Sequence, residues 1–211
     1  MFIMEAEETH EERHMKKETL YQIFSHMPTI ETERLILRPM RQSDREDMYQ
    51  YARREDVTEF LLWSPHPSPS YTSDYLRYIE SRYRLGDFYD WAVVEKESGR
   101  MIGTCGFTAI DAANRSAEIG YVLNPDYHGR GYGTEAARRV VRFGFEILSL
   151  HRVEARFMKG NEASLHVMEK LGMRFEGYRY DAIFVKGGYR TVGSCSILRP
   201  FWLKNQEGQK T

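Results

Sequence analysis

The chain has 211 residues, of which 41% are hydrophobic and 29% are charged, and its formal net charge is −1. This length suits one domain with a sizeable core. The balanced charge argues against nucleic-acid binding, and no apolar run is long enough to cross a membrane. The N-terminus is polar and acidic, unlike a signal peptide. Cys105 and Cys195 cannot form a disulfide framework, so we expect reduced thiols in a cytoplasmic protein.

Residues 1–28 are predicted to form a helical extension with a charged first half. The apolar residues near its end share one helical face: Leu20, Ile23, Phe24 and Met27. The segment also contains an H-E-x-x-H zinc signature, from His10 to His14. A zinc enzyme needs this helix buried beside a third ligand, whereas its flanks here are polar and close to the chain end. We therefore expect a charged helix and no metal.

Residues 29–203 are predicted to form the domain, and residues 204–211 are a tail. The apolar spacing predicts these elements in chain order: a strand at 33–39, helices at 41–54 and 72–85, strands at 90–96, 101–109 and 116–123, a helix from 134, a strand at 151–157, a helix at 161–172 and a hairpin of 175–185 with 190–198. Alternating prolines in 61–69 argue against a helix or central strand there. The chain from Pro200 onward is predicted to be a tail.

Three glycines in five residues separate the strand at 116–123 from the helix that follows: Gly129, Gly131 and Gly133. Glycines let the backbone turn tightly and approach a ligand, and the first N–H groups of a helix are unpaired. Such a loop is an anion site for which phosphate is the usual ligand, and Arg130 adds charge. The loop is not a dinucleotide fingerprint, because Thr134 stands where the third glycine belongs, and it lacks the Gly-Lys-Ser/Thr of a P-loop.

The loop at 128–133 resembles the Gln/Arg-x-x-Gly-x-Gly/Ala loop of the GNAT N-acetyltransferase superfamily, with His128 in place of the usual Gln or Arg. Asn161-x-x-Ser164 and the Glu-Lys-Leu-Gly-Met run at 169–173 resemble signatures of the Rim-type branch of ribosomal-protein N-terminal acetyltransferases. The strand at 32–39 and the element order agree, so the resemblance covers 31–201. It implies an α+β fold, a mixed and mostly antiparallel sheet flanked by helices.

The resemblance also implies acetyl-CoA as cosubstrate, with no metal. The glycine loop would bind its diphosphate, and the pantetheine arm would lie where strand 116–123 parts from strand 152–157. The N–H near Val122 would face the thioester oxygen, and Asn161 would cap its helix and bind the arm. The residues expected to bind the cofactor are Tyr121, Val122, Leu123, His128, Gly129, Arg130, Gly131, Tyr132, Gly133, Thr134 and Asn161.

Glu118 is the candidate base, because it lies on the strand that lines the predicted site and could act directly or through water. Its alternative role is a structural ion pair. Met168 occupies the position where many GNAT enzymes have a tyrosine acid, so Ser164 is the candidate donor to the leaving sulfur, as the Rim-type branch implies. Trp63, Tyr178 and Asp181 are candidates for the acceptor groove.

The acceptor is predicted to be a primary amine, above all the α-amine of a protein or peptide. Deprotonating an α-amine at pH 7 costs roughly 1.4 kcal/mol, against about 4.6 kcal/mol for a lysine, so a weakly activated carboxylate suffices for the former. A small amine or antibiotic remains an alternative acceptor. A non-catalytic acyl-CoA-binding module and a nucleotide-binding oxidoreductase are alternative functions. Many related enzymes dimerise, which makes a homodimer an expectation.

Overall fold

The computed structural model describes residues 17–207. The described strands are β1 Ile30–Glu31, β2 Leu35–Arg38, β3 Tyr89–Glu95, β4 Met101–Asp111, β5 Ser116–Leu123, β6 Arg152–Met158, β7 Arg174–Val185 and β8 Gly188–Leu198. They form one sheet in the order β1-β2-β3-β4-β5-β6-β8-β7. Neighbouring strands are antiparallel except β5 and β6, which are parallel. The predicted mixed, mostly antiparallel sheet is confirmed.

Helices cover both faces of this sheet. The described α-helices are α1 Lys17–Phe24, α2 Arg45–Ala52, α3 Glu55–Thr58, α4 Pro69–Arg84, α5 Tyr132–Glu146, α6 Glu162–Lys170 and α7 Arg199–Glu207. Among residues 17–207, none of these helices is both long and apolar enough to cross a membrane.

An aromatic cluster joins the first face of the sheet to α1 and α5. The ring of Trp91 on β3 lies 6.0 Å from Phe24 of α1 and 5.4 Å from Phe143 of α5, measured between centroids. Leu20 and Met27 are also buried, so the predicted packing of the extension's end is confirmed. The charged half of the extension, with the His10–His14 signature, lies outside the described residues.

The second face is covered by α2 and α4, and neighbouring residues of a strand point to opposite faces. Tyr83 of α4 donates from its hydroxyl to the Asp90 carbonyl at 2.6 Å and accepts the Met40 N–H at 3.1 Å. Asp90 lines a cavity together with Tyr51 of α2 and Tyr75 of α4, so it faces their side of the sheet, while the adjacent Trp91 faces α1 and α5. This side contains the cavity described below.

The helix predicted at 41–54 is divided. A 3-10 turn at Gln42–Asp44 precedes α2, and α3 follows it. Asp44 directly precedes α2, and its side chain accepts the Arg41 N–H at 3.0 Å. The helix predicted at 72–85 begins earlier, at Pro69, since proline is tolerated in the first turn and the Ser68 hydroxyl caps the helix by accepting the Tyr71 N–H.

The prediction of a tail from Pro200 onward is wrong, because α7 occupies Arg199–Glu207. Pro200 is the second residue of α7, where a backbone N–H has no helical acceptor and its absence costs little. Trp202 is 8% exposed and lies 5.1 Å from the Phe145 ring of α5. The last helix therefore belongs to the core.

Candidate functional site

The glycine loop connects β5 to α5 through backbone that favours glycine. Gly129 and Gly131 have φ of +75° and +81°, in the left-handed region. Gly131 is the residue that precedes α5, and the first bond of the helix runs from the Glu135 N–H to the Gly131 carbonyl at 3.0 Å. The N–H groups of Tyr132, Gly133 and Thr134 precede this bond, so they have no helical acceptor and remain available to an anion.

An ion pair with the residue that precedes β2 holds this loop in place. Arg34 pairs with Glu135 at 2.6 Å and donates to the Arg130 carbonyl at 2.9 Å. Thr32 also donates to Glu135, at 2.5 Å. These bonds occupy side chains and one carbonyl but none of the loop N–H groups. The loop is thus held in place without using the groups that would bind phosphate.

The side chains of the loop have roles that the sequence did not indicate. The Tyr132 hydroxyl donates to Glu95 at 2.6 Å and the residue is 7% exposed, so only its backbone faces the loop. The His128 ring donates to the Leu123 carbonyl at 3.1 Å and fixes the start of the loop to the end of β5. Arg130 is exposed and lines a polar cavity of about 490 Å³ beside the loop, where its charge is available.

Strands β5 and β6 part beside this loop, as predicted. Their parallel pairing runs from Ser116 opposite Arg152 to Ile119 opposite Ala155 and then ends. From Gly120 onward β5 pairs only with β4 within the described sheet. A cavity of about 450 Å³ opens at this point, lined by Gly120, Tyr121 and Val122. His128 already binds the Leu123 carbonyl, so the backbone groups left facing the gap are those of 120–122 that point away from β4.

Glu118 lies on the wall of this cavity, just before the strands part. Its side chain is 15% exposed and forms an ion pair with Arg156 of β6, which also lines the cavity. The Glu118 carboxylate raises the pKa of the Arg156 guanidinium, so the arginine stays charged. The ion pair that was the alternative role for Glu118 is present, and it holds the carboxylate at the cavity rather than away from it.

A pair of hydroxyls lies on the α6 side of the gap. The Tyr121 hydroxyl is 3.0 Å from the Ser164 Oγ and donates to the Ser164 carbonyl, also at 3.0 Å. Burial raises the pKa of the Tyr121 hydroxyl, which keeps it protonated. Asn161 caps α6 by accepting the Ser164 N–H at 3.1 Å, which confirms its predicted capping role. Met168 is buried behind these residues and lines the same cavity.

The predicted acceptor residues are not all at the cavity. Trp63 lines it, but Tyr178 and Asp181 do not. Tyr178 packs its ring 6.1 Å from Phe157, and Asp181 is exposed at a position with φ of +46°. Both lie on β7, whereas the hairpin residues that reach the cavity are Ile183 and Val192. The register shifts between Arg179 and Ile183, which the sequence alone did not reveal.

Comparison with known proteins identifies this arrangement. The model of the acetyltransferase (GNAT) domain family matches residues 34–174, which include the glycine loop and the cavity strands. The chain belongs to the GNAT acetyltransferase family. It is an acetyl-CoA-dependent N-acetyltransferase, and this assignment removes the oxidoreductase alternative. In the described part of the chain of this acetyltransferase, no group of three or more metal-ligating side chains is found.

Two curated relatives and two solved structures illustrate the family. An uncharacterized N-acetyltransferase, p20 of Bacillus licheniformis, is 34% identical and aligns over 82% of this chain and 97% of its own. Spermidine N(1)-acetyltransferase of Escherichia coli K12 is 27% identical over 79% of this chain and 87% of its own. A Bacillus anthracis GNAT structure has TM-score 0.73 at 28% identity, covering 82% and 99% of the two chains. A ribosomal-protein α-N-acetyltransferase solved with coenzyme A has TM-score 0.70 at 21% identity, covering 81% and 98%.

Sequence reasoning missed several polar residues of the acetyltransferase cavity, among them Tyr51, Asp90 and Arg156. Asp90 begins a strand of apolar residues, a place where an exposed carboxylate is ordinary, and nothing in the local pattern marks it as buried. Arg156 alternates along β6 like any exposed strand residue. Only the pairing of β3 with β4, and the parting of β5 from β6, bring these side chains to one cavity.

Proposed function

We propose that this acetyltransferase transfers the acetyl group of acetyl-CoA to a primary amine, with the N-terminal α-amine of a protein or peptide as the main acceptor. The observation that carries the proposal is the cavity at the parted strands beside the glycine loop. Acetyl-CoA supplies the acetyl group when bound. The unpaired N–H groups of the loop fit its diphosphate, and the backbone groups of 120–122 that face the gap fit its pantetheine arm.

Each candidate group is then assigned one role in the reaction. Glu118 would accept the proton that the attacking amine releases, directly or through a water molecule. A backbone N–H near Val122 would donate to the oxygen on which negative charge develops. Ser164, with Tyr121 bonded to its Oγ, would donate to the sulfur as the carbon–sulfur bond breaks and the free thiol leaves.

The hydroxyl pair favours catalysis over a purely binding module. Met168 cannot donate a proton, which was the reason to consider a non-catalytic acyl-CoA-binding protein. The Tyr121 hydroxyl reaches Ser164 from the opposite side of the gap, so a protonated donor lies near the position expected for sulfur. The α-amine is favoured because its deprotonation is less costly than that of a lysine. The relative named for spermidine acetylation keeps small amines as the alternative acceptor.

The test is release of free thiol from acetyl-CoA across a panel of peptides and small amines. Glu118→Gln and Ser164→Ala are expected to lower kcat by about 10²-fold or more and about 10-fold, respectively. Glu154→Gln is the matched control, because Glu154 lies opposite Glu118 on β6 and pairs with Arg152 outside the cavity lining. Turnover unaffected by Glu118→Gln would remove Glu118 as base, and absence of thiol release with every amine would overturn the proposed function.

A further inference from the structure

Two buried polar atoms without partners line the far end of the same cavity. Among residues 17–207, buried side-chain atoms with no hydrogen-bond partner are few, and they include the Tyr51 hydroxyl and the Asp90 Oδ1. Both residues line the cavity of about 450 Å³. Buried polar groups are nearly always paired, so an unpaired carboxylate oxygen and an unpaired hydroxyl in one cavity are two groups available to bind a ligand.

Glycines open a path across the sheet from Asp90 to the parted strands. Asp90 on β3 pairs with Gly106 on β4, which pairs with Gly120 on β5, so the three share one face. The Asp90 Oδ1 lies over Gly106, because a Cβ placed there would be only 2.8 Å from it. The Thr108 methyl group lies over Gly120, where β5 leaves β6, and Thr108 lines the same cavity as Asp90, so the path from the carboxylate to the parted strands runs through that cavity.

Strand spacing gives the length of this path. Neighbouring strands lie about 4.8 Å apart, so β3 and β5 are separated by about 10 Å. Glu118 faces the same side of the sheet as Gly120, two residues earlier on β5. A molecule that reacts beside Glu118 and reaches Asp90 would need two polar groups roughly 7–10 Å apart, allowing for the length of the side chains.

The surroundings of Asp90 favour a cation. The cation that lines the cavity, Arg156, is paired with Glu118. His66 donates to or accepts from the Thr72 hydroxyl at 2.9 Å, and burial lowers its pKa, so it stays neutral near pH 7. The other titratable groups facing this end are the tyrosines Tyr51, Tyr71 and Tyr75. Tyrosine and Trp63 rings suit the alkyl body of an amine as well as its ammonium.

We propose that Asp90 and Tyr51 form a second recognition point that binds an ammonium group on the acceptor, roughly 7–10 Å from the amine that is acetylated. The inference rests on the proposed function, because it places the reacting amine beside Glu118. A diamine and a peptide with a basic side chain next to its N-terminus present the same chemistry. Asp90 is thus a specificity-determining residue, which recognises the acceptor rather than the acetyl donor.

The first experiment compares acceptors that differ only in this ammonium. The pairs are 1,6-diaminohexane with hexylamine, and Ala-Lys amide with Ala-norleucine amide, assayed with wild type, Asp90→Asn and Asp87→Asn. Wild type is expected to prefer the ammonium-bearing member of at least one pair by about 10- to 100-fold in kcat/KM, the range expected for one charged hydrogen bond. The pair in which this preference is found shows whether the acceptor is a diamine or a peptide. In Asp90→Asn the preference should fall to about twofold or less, mainly through KM.

Asp87→Asn is the matched control, because Asp87 also has a buried, unpaired Oδ1 but does not line the cavity. It should keep the wild-type preference. No preference in wild type, or an equal preference in Asp90→Asn, would overturn the inference.

A calorimetric titration with 1,6-diaminohexane separates this inference from the proposed function. Binding should be about 10-fold or more weaker in Asp90→Asn than in wild type, whether or not any amine is acetylated. Equal affinities would overturn the recognition point even if acetyl transfer occurs. Weaker binding without acetyl transfer would retain the recognition point and refute the proposed reaction.

Discussion

Replacing Asp90 by asparagine should stabilise the unliganded acetyltransferase at alkaline pH. Burial raises the pKa of the Asp90 carboxyl from 3.8 to about 7, with a contact from the Thr104 side chain acting in the opposite direction. The folded state therefore binds more protons than the unfolded state between these two values. Stability must fall as the pH rises from about 4 to about 7, because the unfolded carboxyl ionises first.

The pKa shift sets the size of this effect. A tenfold difference in proton affinity is worth about 1.4 kcal/mol, so the ionised Asp90 disfavours the folded state by up to about 4 kcal/mol above pH 7. Asparagine has a similar shape and no charge, so Asp90→Asn removes this penalty. Relative to wild type, the variant should gain up to about 4 kcal/mol of unfolding free energy between pH 4 and pH 8.5.

The assay is urea denaturation of both proteins at pH 4, 5.5, 7 and 8.5, without ligands. The free-energy difference between variant and wild type should grow with pH and level off above about pH 7. Asp87→Asn serves as the control. A difference that does not depend on pH would refute the reasoning, since it would mean that Asp90 titrates alike in the folded and unfolded states.

Three further predictions concern the loop, the sheet edge and the last helix. Gly131→Ala should cost about 1–2 kcal/mol of unfolding free energy, because φ at this position is +81°. The variant should also bind CoA more weakly in a calorimetric titration. A variant with the stability and the CoA affinity of wild type would contradict this. Glu176→Gln should destabilise the protein at pH 7 but not near pH 2, because the Arg152 guanidinium lowers the pKa of Glu176 to about 2. Chemical denaturation of variant and wild type at several pH values measures this, and a difference in unfolding free energy that is the same at every pH would contradict the prediction. Trp202→Ala should cost about 3 kcal/mol in chemical denaturation, and a negligible loss would mean that α7 does not pack as described.

The sequence predicted most of the fold because its local patterns agree with the final structure. The alternation of 116–123 reproduced β5 residue for residue, and the three glycines indicated the start of α5 to within two residues. It failed where local signals conflict with tertiary contacts. Pro200 suggested a tail, yet the burial of Trp202 against Phe145 stabilises a helix there.

The site was predictable where its function depends on the backbone, or where a predicted strand or motif marked the side chain, as for Glu118 and Ser164. Glycine spacing indicates backbone geometry directly, so the loop could be found from the sequence. The acceptor end could not, because Asp90 and Tyr51 are far apart in the chain and each is ordinary in its own segment. Asp181 does not line the cavity either, since the register shift in β7 affects which hairpin residues reach it.

The most direct test of the whole account is a crystal structure of this acetyltransferase with CoA. The account predicts that the diphosphate accepts hydrogen bonds from backbone N–H groups within 129–134, and that the pantetheine arm lies between β5 and β6 alongside 120–122. A complex in which the diphosphate binds away from the glycine loop, or in which β5 and β6 are paired along their full length, would contradict it.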